Sequence, residues 1–168
     1  MGENKSKKLI TILVPAYNEE DVLHMLYERL EKIMEQCSDY NFEILLVNDG
    51  SKDKTFSIMQ ELREKDKRVC YLNLSRNYGK ETAMIAGLDY AKGDAVVIID
   101  ADLQDPPELI PEMIKYWEQP RFPPPPLHLR NHHIPDFSVS WKPRMQALFF
   151  SPTPADLPAL PKIKSDFS

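Results

Sequence analysis

The sequence predicts an α/β fold, a mainly parallel sheet with helices on both faces. Three observations carry this prediction. Short apolar, β-branched runs alternate with segments whose apolar residues recur at helical spacing, the pattern of right-handed βαβ units. The apolar runs are near-continuous, as in inner parallel strands covered on both faces. Each run ends in a polar cluster, and in such sheets ligands bind beyond the carboxyl ends of the strands.

"LITILVP" (Leu9–Pro15) reads as the first strand, followed by Tyr17, Asn18 and Glu19. Val22, Leu26, Leu30, Ile33 and Cys37 then recur at helical spacing. "FEILLVND" (Phe42–Asp49) is the second strand, ending in Asn48, Asp49 and Gly50. A second helix starts at Asp53, with Phe56, Met59 and Leu62 on one face. "VCYLNL" (Val69–Leu74) is the third strand, followed by Ser75, Arg76 and Asn77. A third helix spans about Gly79 to Ala91, with Met84 and Tyr90 expected in the core. "DAVVIID" (Asp94–Asp100) is the fourth strand, and Ile110, Met113, Ile114 and Trp117 form the apolar face of a last helix. Four strand ends carrying polar groups are thus expected to converge on one rim.

The stretch "VVIIDADLQDPP" sets an apolar run directly against three carboxylates. Like charges repel, and carboxylates at the edge of a core lose hydration. Asp105 before Pro106-Pro107 fits a helix cap, since proline is tolerated in a first helical turn. Asp100 and Asp102 are not needed for that cap. Two carboxylates two apart at a strand end can share one hard cation, Mg²⁺ or Mn²⁺, with substrate phosphate oxygens completing its shell. Plainer readings stand beside the functional ones. Asn18-Glu19-Glu20 also fits an acidic turn at a helix start, Asp49-Gly50-Ser51 a tight turn, and Arg76 and Lys80 solvated charges rather than phosphate contacts. His24 reads as a surface residue.

"VPAYNEE", "VNDGSKDKT", "LSRNYGKETAMIAGLDYAKGD" and "IDADLQDPPELIPEMI" follow one another in the order and spacing of family 2 glycosyltransferases. Over about residues 8–119 the chain most resembles bacterial polyprenyl-phosphate (bactoprenol) glucosyltransferases and dolichol-phosphate mannose synthase-like enzymes. The resemblance implies the GT-A nucleotide-sugar-binding fold, in truncated form. It implies that Pro15, Tyr17 and Glu19 line the nucleoside pocket and that Val47 and Asp49 contact the base and ribose. It makes Asp100, Ala101 and Asp102 the sugar-nucleotide and metal motif, with Gln104 joining the metal shell. The implied reaction transfers a sugar, glucose from UDP-glucose, to polyprenyl phosphate with inversion, using Mg²⁺ or Mn²⁺. The alternative is a nucleotide-sugar-binding fragment without turnover. The family works at the cytoplasmic side of the membrane. No G-x-G-x-x-G follows the first strand, which argues against a dinucleotide-binding dehydrogenase.

The two ends of the chain differ in composition. Residues 1–119 hold 15 Lys/Arg and 23 Asp/Glu, whereas 11 of the 15 prolines lie at or after Pro120. The segment "PRFPPPPLHLRNHHIPDF" opposes helix and inner strand, because proline removes donors and restricts the residue before it. A boundary is expected near Gln119, with residues 120–168 a disordered, proline-rich tail atypical of the family. The family normally continues with acceptor-side loops and membrane helices, so no catalytic residue is assigned. His128, His132 and His133 in the tail lack the rigid spacing of a metal site. The formal net charge of −5 gives no sign of a nucleic-acid partner. No apolar run approaches the roughly 20 residues of a membrane helix, and the polar N-terminus has no secretory pattern, so a cytoplasmic location is expected. Cys37 and Cys70 are expected as buried thiols.

Overall fold

The computed structural model describes residues 6–104 and 106–118, together with the pair Phe149–Phe150. The Asp105 cap, the boundary at Gln119 and the tail with its histidines lie outside the described residues, that pair excepted.

The order is β1 (Leu9–Ala16), α1 (Leu23–Gln36), β2 (Asn41–Asn48), α2 (Thr55–Lys65), β3 (Val69–Asn73), α3 (Lys80–Tyr90), β4 (Ala95–Ile98), a 3₁₀ turn (Pro107–Leu109), α4 (Ile110–Trp117) and β5 (Phe149–Phe150). The strands form one sheet in the order β3-β2-β1-β4-β5. β1 to β4 are mutually parallel, with Leu13 facing Leu45 on one side and Ile98 on the other. β5 pairs antiparallel with β4, Val96 to Phe150 and Val97 to Phe149. This pairing lies along an edge of β4 that would otherwise present open backbone donors and acceptors.

The chain builds outward from β1 through β2 to β3, then crosses back to place β4 on the other flank of β1. That reversal opens a crevice at the carboxyl ends of β1 and β4. The period-2 alternation of β1 divides the core. Ile10, Ile12, Val14 and Ala16 meet Leu26, Leu30, Ile33, Met59, Ile110 and Ile114 on the face covered by α1, α2 and α4. Leu13, Leu45, Val47, Val96 and Ile98 form the opposite face with Ala83 of α3.

Some expectations move. The buried stripe of α1 begins at Leu23 rather than Val22, with Tyr27 and Met34 added to it. Tyr90 is 58% exposed rather than in the core, because it ends α3 where the sheet no longer covers the helix. Met84 does pack against the core. Cys37 and Cys70 are half-buried rather than buried. His24 is exposed, its Nε2 3.9 Å from Glu61.

Candidate functional site

The turns after β1 and β2 are stitched together by hydrogen bonds. Asn18, in the left-handed region at φ 56, donates its N–H to Ser51 Oγ at 3.0 Å and accepts from the Lys52 N–H at 2.9 Å. The Glu19 N–H donates to Thr55 Oγ1 at 2.7 Å. The Glu20 carboxylate accepts from the Lys54 N–H at 2.9 Å. Asp53 accepts from the N–H groups of Thr55 at 2.9 Å and Glu20 at 3.2 Å. Burial alone would push the Asp53 carboxyl up, but the bonds from Thr55 and Glu20 outweigh it and hold the group below its ordinary value. Asn18, Glu20, Ser51 and Asp53 are therefore occupied in building the rim.

The β2–α2 turn is fastened in turn to the loop after β3. Asp49, buried, accepts the N–H of Tyr78 on Oδ1 at 2.7 Å and that of Gly79 on Oδ2 at 2.9 Å. Beside it, Gly50 has φ +67, and a Cβ there would stand 2.2 Å from the Arg76 carbonyl carbon. The two backbones thus touch where only glycine fits. Asn48 adds a side-chain bond to Asn73 at 2.7 Å.

The result is an open cleft of about 250 Å³ lined by Pro15 to Tyr17, Glu19, Asp49, Asn77, Gly79, Lys80 and Asp100 to Asp102. All four parallel strand ends contribute to it, as the rim argument anticipated. Tyr17, 40% exposed, offers a ring at one side. Across the cleft Lys80 Nζ lies 2.5 Å from Asp100 Oδ2. Asp102 is exposed and accepts the Gln104 N–H at 3.1 Å. Between them Leu103 takes φ 62, which for a side chain of this size is a strained turn. Burial, then the carboxylates of Asp102, Asp53 and Asp100, push the Glu19 carboxyl above its ordinary value. The acids of this rim therefore act on one another.

Two expected residues are not among the lining. Val47 is fully buried in the core on the face covered by α3, because an inner strand buries both faces. Gln104 is exposed on the loop past Asp102. Of the two basic residues, only Lys80 lines the cleft; Arg76 stacks on Tyr78, 4.7 Å from the ring centroid. Asn77, one of the polar groups expected at the end of the third strand, lines the cleft; Gly79, just before α3, lines it too and carries no side chain that could have indicated it.

Among the described residues no three His, Cys, Asp or Glu side chains form a preformed metal cluster. The donor set nevertheless fits a hard cation. Two carboxylates, Asp100 and Asp102, enter one open cleft, and Mg²⁺ or Mn²⁺ takes one or two carboxylates plus phosphate oxygens rather than an all-protein cage.

A cleft at the reversal point of a parallel sheet defines an α/β domain of the ligand-binding, doubly wound kind. The model of the family described as glycosyl transferase family 2 matches residues 11–123, and the chain belongs to that family. It is 53% identical over 109 residues to the uncharacterized glycosyltransferase YkcC of Bacillus subtilis (strain 168), covering 65% of this chain and 33% of that protein. It is 46% identical over 109 residues to the prophage bactoprenol glucosyl transferase homolog of Escherichia coli (strain K12), covering 65% and 35%. Among solved structures it resembles the mannosyltransferase PcManGT from Pyrobaculum calidifontis in complex with GDP-Man and Mn²⁺. The TM-score is 0.56 at 29% identity, covering 69% of this chain and 34% of that one. The fold is GT-A. The chain spans about a third of the length of the curated relatives it matches. Among the described residues no helix is long and apolar enough to cross a membrane.

Proposed function

We propose that this domain binds a nucleotide sugar, UDP-glucose, with a divalent cation, and supports inverting transfer of the sugar to polyprenyl phosphate at the cytoplasmic face of a membrane. One observation carries the reading: Tyr17, Glu19, Asp49, Lys80, Asp100 and Asp102 line a single cleft at the reversal point of the sheet. The likeness to bactoprenol glucosyl transferases supports glucose and the lipid phosphate.

The roles follow from chemistry. Tyr17 lies along the base, while Pro15 and Glu19 border the nucleoside. Asp100 and Asp102 would hold Mg²⁺ or Mn²⁺ beside the diphosphate, with Ala101 between them in sequence and Gln104 on the adjoining loop available to join the shell. Once bound, the cation neutralises the charge that builds on the departing diphosphate. Lys80 adds a second positive charge on the same side. Asp49 and Val47 act from beneath the base side, the first through the loop it holds. A lipid phosphate is already ionised at pH 7, so in-line attack on the anomeric carbon needs no strong general base.

A second reading, donor binding without turnover, is favoured by one fact. Every described cleft group belongs to a segment that corresponds to about a third of each relative. Incubation of the full chain with radiolabelled UDP-glucose and polyprenyl phosphate separates the two. Label in the lipid extract, as a sugar phosphate of inverted configuration, supports transfer. Donor binding without labelled lipid supports the second reading, and absence of both contradicts the proposal.

A further inference from the structure

We infer that Lys80 is the resident counter-ion of the cation site: it holds Asp100 when no metal is bound, competes with the incoming divalent cation for that carboxylate, and on release turns to the donor's diphosphate. The inference rests on the donor-site reading above and goes beyond it, because it makes metal entry and phosphate binding two halves of one exchange.

The geometry points to it in three ways. Lys80 Nζ contacts Asp100 Oδ2 at 2.5 Å, so an ammonium already sits on one of the two carboxylates offered to the cation. Both side chains line the cleft, so the displaced ammonium need not leave the site to meet a diphosphate. Lys80 is the first residue of α3, directly after Gly79, whose N–H is held by Asp49 at 2.9 Å. Its backbone is fixed while its four-carbon stem stays free to swing. The Lys80 side chain is 49% exposed and that of Asp100 31%, so this is a half-solvated pair, weak enough to be broken. A divalent cation brings twice the charge to the same oxygen. In the exchange Lys80 changes only its anionic partner, from the Asp100 carboxylate to the diphosphate.

The test is titration of the full chain with Mn²⁺ alone, at low ionic strength and pH 7, followed by free-ion electron paramagnetic resonance, for wild type, Lys80→Met and Lys80→Arg. The Lys80→Met chain is expected to bind Mn²⁺ about fivefold more tightly, the order of one half-exposed ion pair, while Lys80→Arg stays near wild type. Titration with UDP at saturating Mn²⁺ is expected to move the opposite way, Lys80→Met binding more weakly. A distorted site would lose both ligands together. Equal Mn²⁺ affinity in wild type and Lys80→Met overturns the inference while leaving the donor site standing. If neither chain binds Mn²⁺ alone, Lys80 has no cation to hold out and the inference fails; if neither binds it with UDP present, the donor-site reading fails as well.

Discussion

The carboxylate of Asp49 accepts the backbone N–H of Tyr78 at 2.7 Å and that of Gly79 at 2.9 Å, across some thirty residues of sequence. This clamp ties the end of β2 to the start of α3 and so places Lys80 opposite Asp100. Removing it leaves two amides without their acceptor. Asp49→Ala is expected to cost about 3 kcal/mol, since bonds to a charged group are worth about 1.5–3 kcal/mol each. Asp49→Asn, which keeps one acceptor oxygen, should cost less. Urea unfolding of the three chains gives the ranking, and an Asp49→Ala chain as stable as wild type contradicts the clamp.

Gly50 and Gly79 bracket the same junction and should respond unequally. Gly79 sits at φ 96, ψ 153 with nothing within 4 Å of a built Cβ. Gly79→Ala then costs about 1–3 kcal/mol from backbone conformation alone. At Gly50 the positive φ is joined by backbone overlap, 2.4 Å to Asn77 N as well as 2.2 Å to the Arg76 carbonyl carbon. Gly50→Ala should therefore be clearly the worse of the two in thermal unfolding, and the reverse order would place the close contact elsewhere.

Glu19 gives a pH signature. Its carboxyl is raised above the ordinary 4.5 by burial and then by Asp102, Asp53 and Asp100. The folded state therefore binds its proton more tightly than the unfolded chain does. Its contribution is fully present below about pH 4.5, and it is lost as pH rises through the higher folded value. Glu19→Gln is expected to be more stable than wild type at pH 7 without metal, with the difference vanishing at pH 4. Denaturant midpoints of the pair across that range check the sign, and a Glu19→Gln chain less stable than wild type at pH 7 contradicts it.

Much of this molecule is legible in the sequence, and the remainder has identifiable causes. The strands could be read because inner parallel strands are near-continuous apolar runs, and the rim because each run stops at a polar cluster. Asp49 is harder. Its side chain looks like a ligand group, but its partners are backbone amides of Tyr78 and Gly79 that no spacing rule connects to it. Val47 belongs to a matched motif yet lies inside the sheet, because a family position does not say which way an inner-strand side chain points. Tyr90 was misplaced because α3 has no clean apolar stripe: Ile85 on the same helix is also 52% exposed. The pairing of Phe149–Phe150 with β4 reflects an edge that sequence periodicity does not record.

The most direct measurement is calorimetric titration of the full chain with UDP-glucose, once with Mn²⁺ and once with EDTA, repeated for Asp102→Asn. Asp102 is exposed and accepts the Gln104 N–H at 3.1 Å, an interaction an asparagine oxygen can keep, so the substituted chain should fold as wild type does. Binding is expected with Mn²⁺, strongly reduced in EDTA, and weakened in Asp102→Asn by at least the roughly 10- to 100-fold typical of lost metal-shell partners. Equal affinity for the donor in Mn²⁺ and in EDTA, unaltered in Asp102→Asn, would show that the acids at the end of β4 do not hold a cation against the diphosphate.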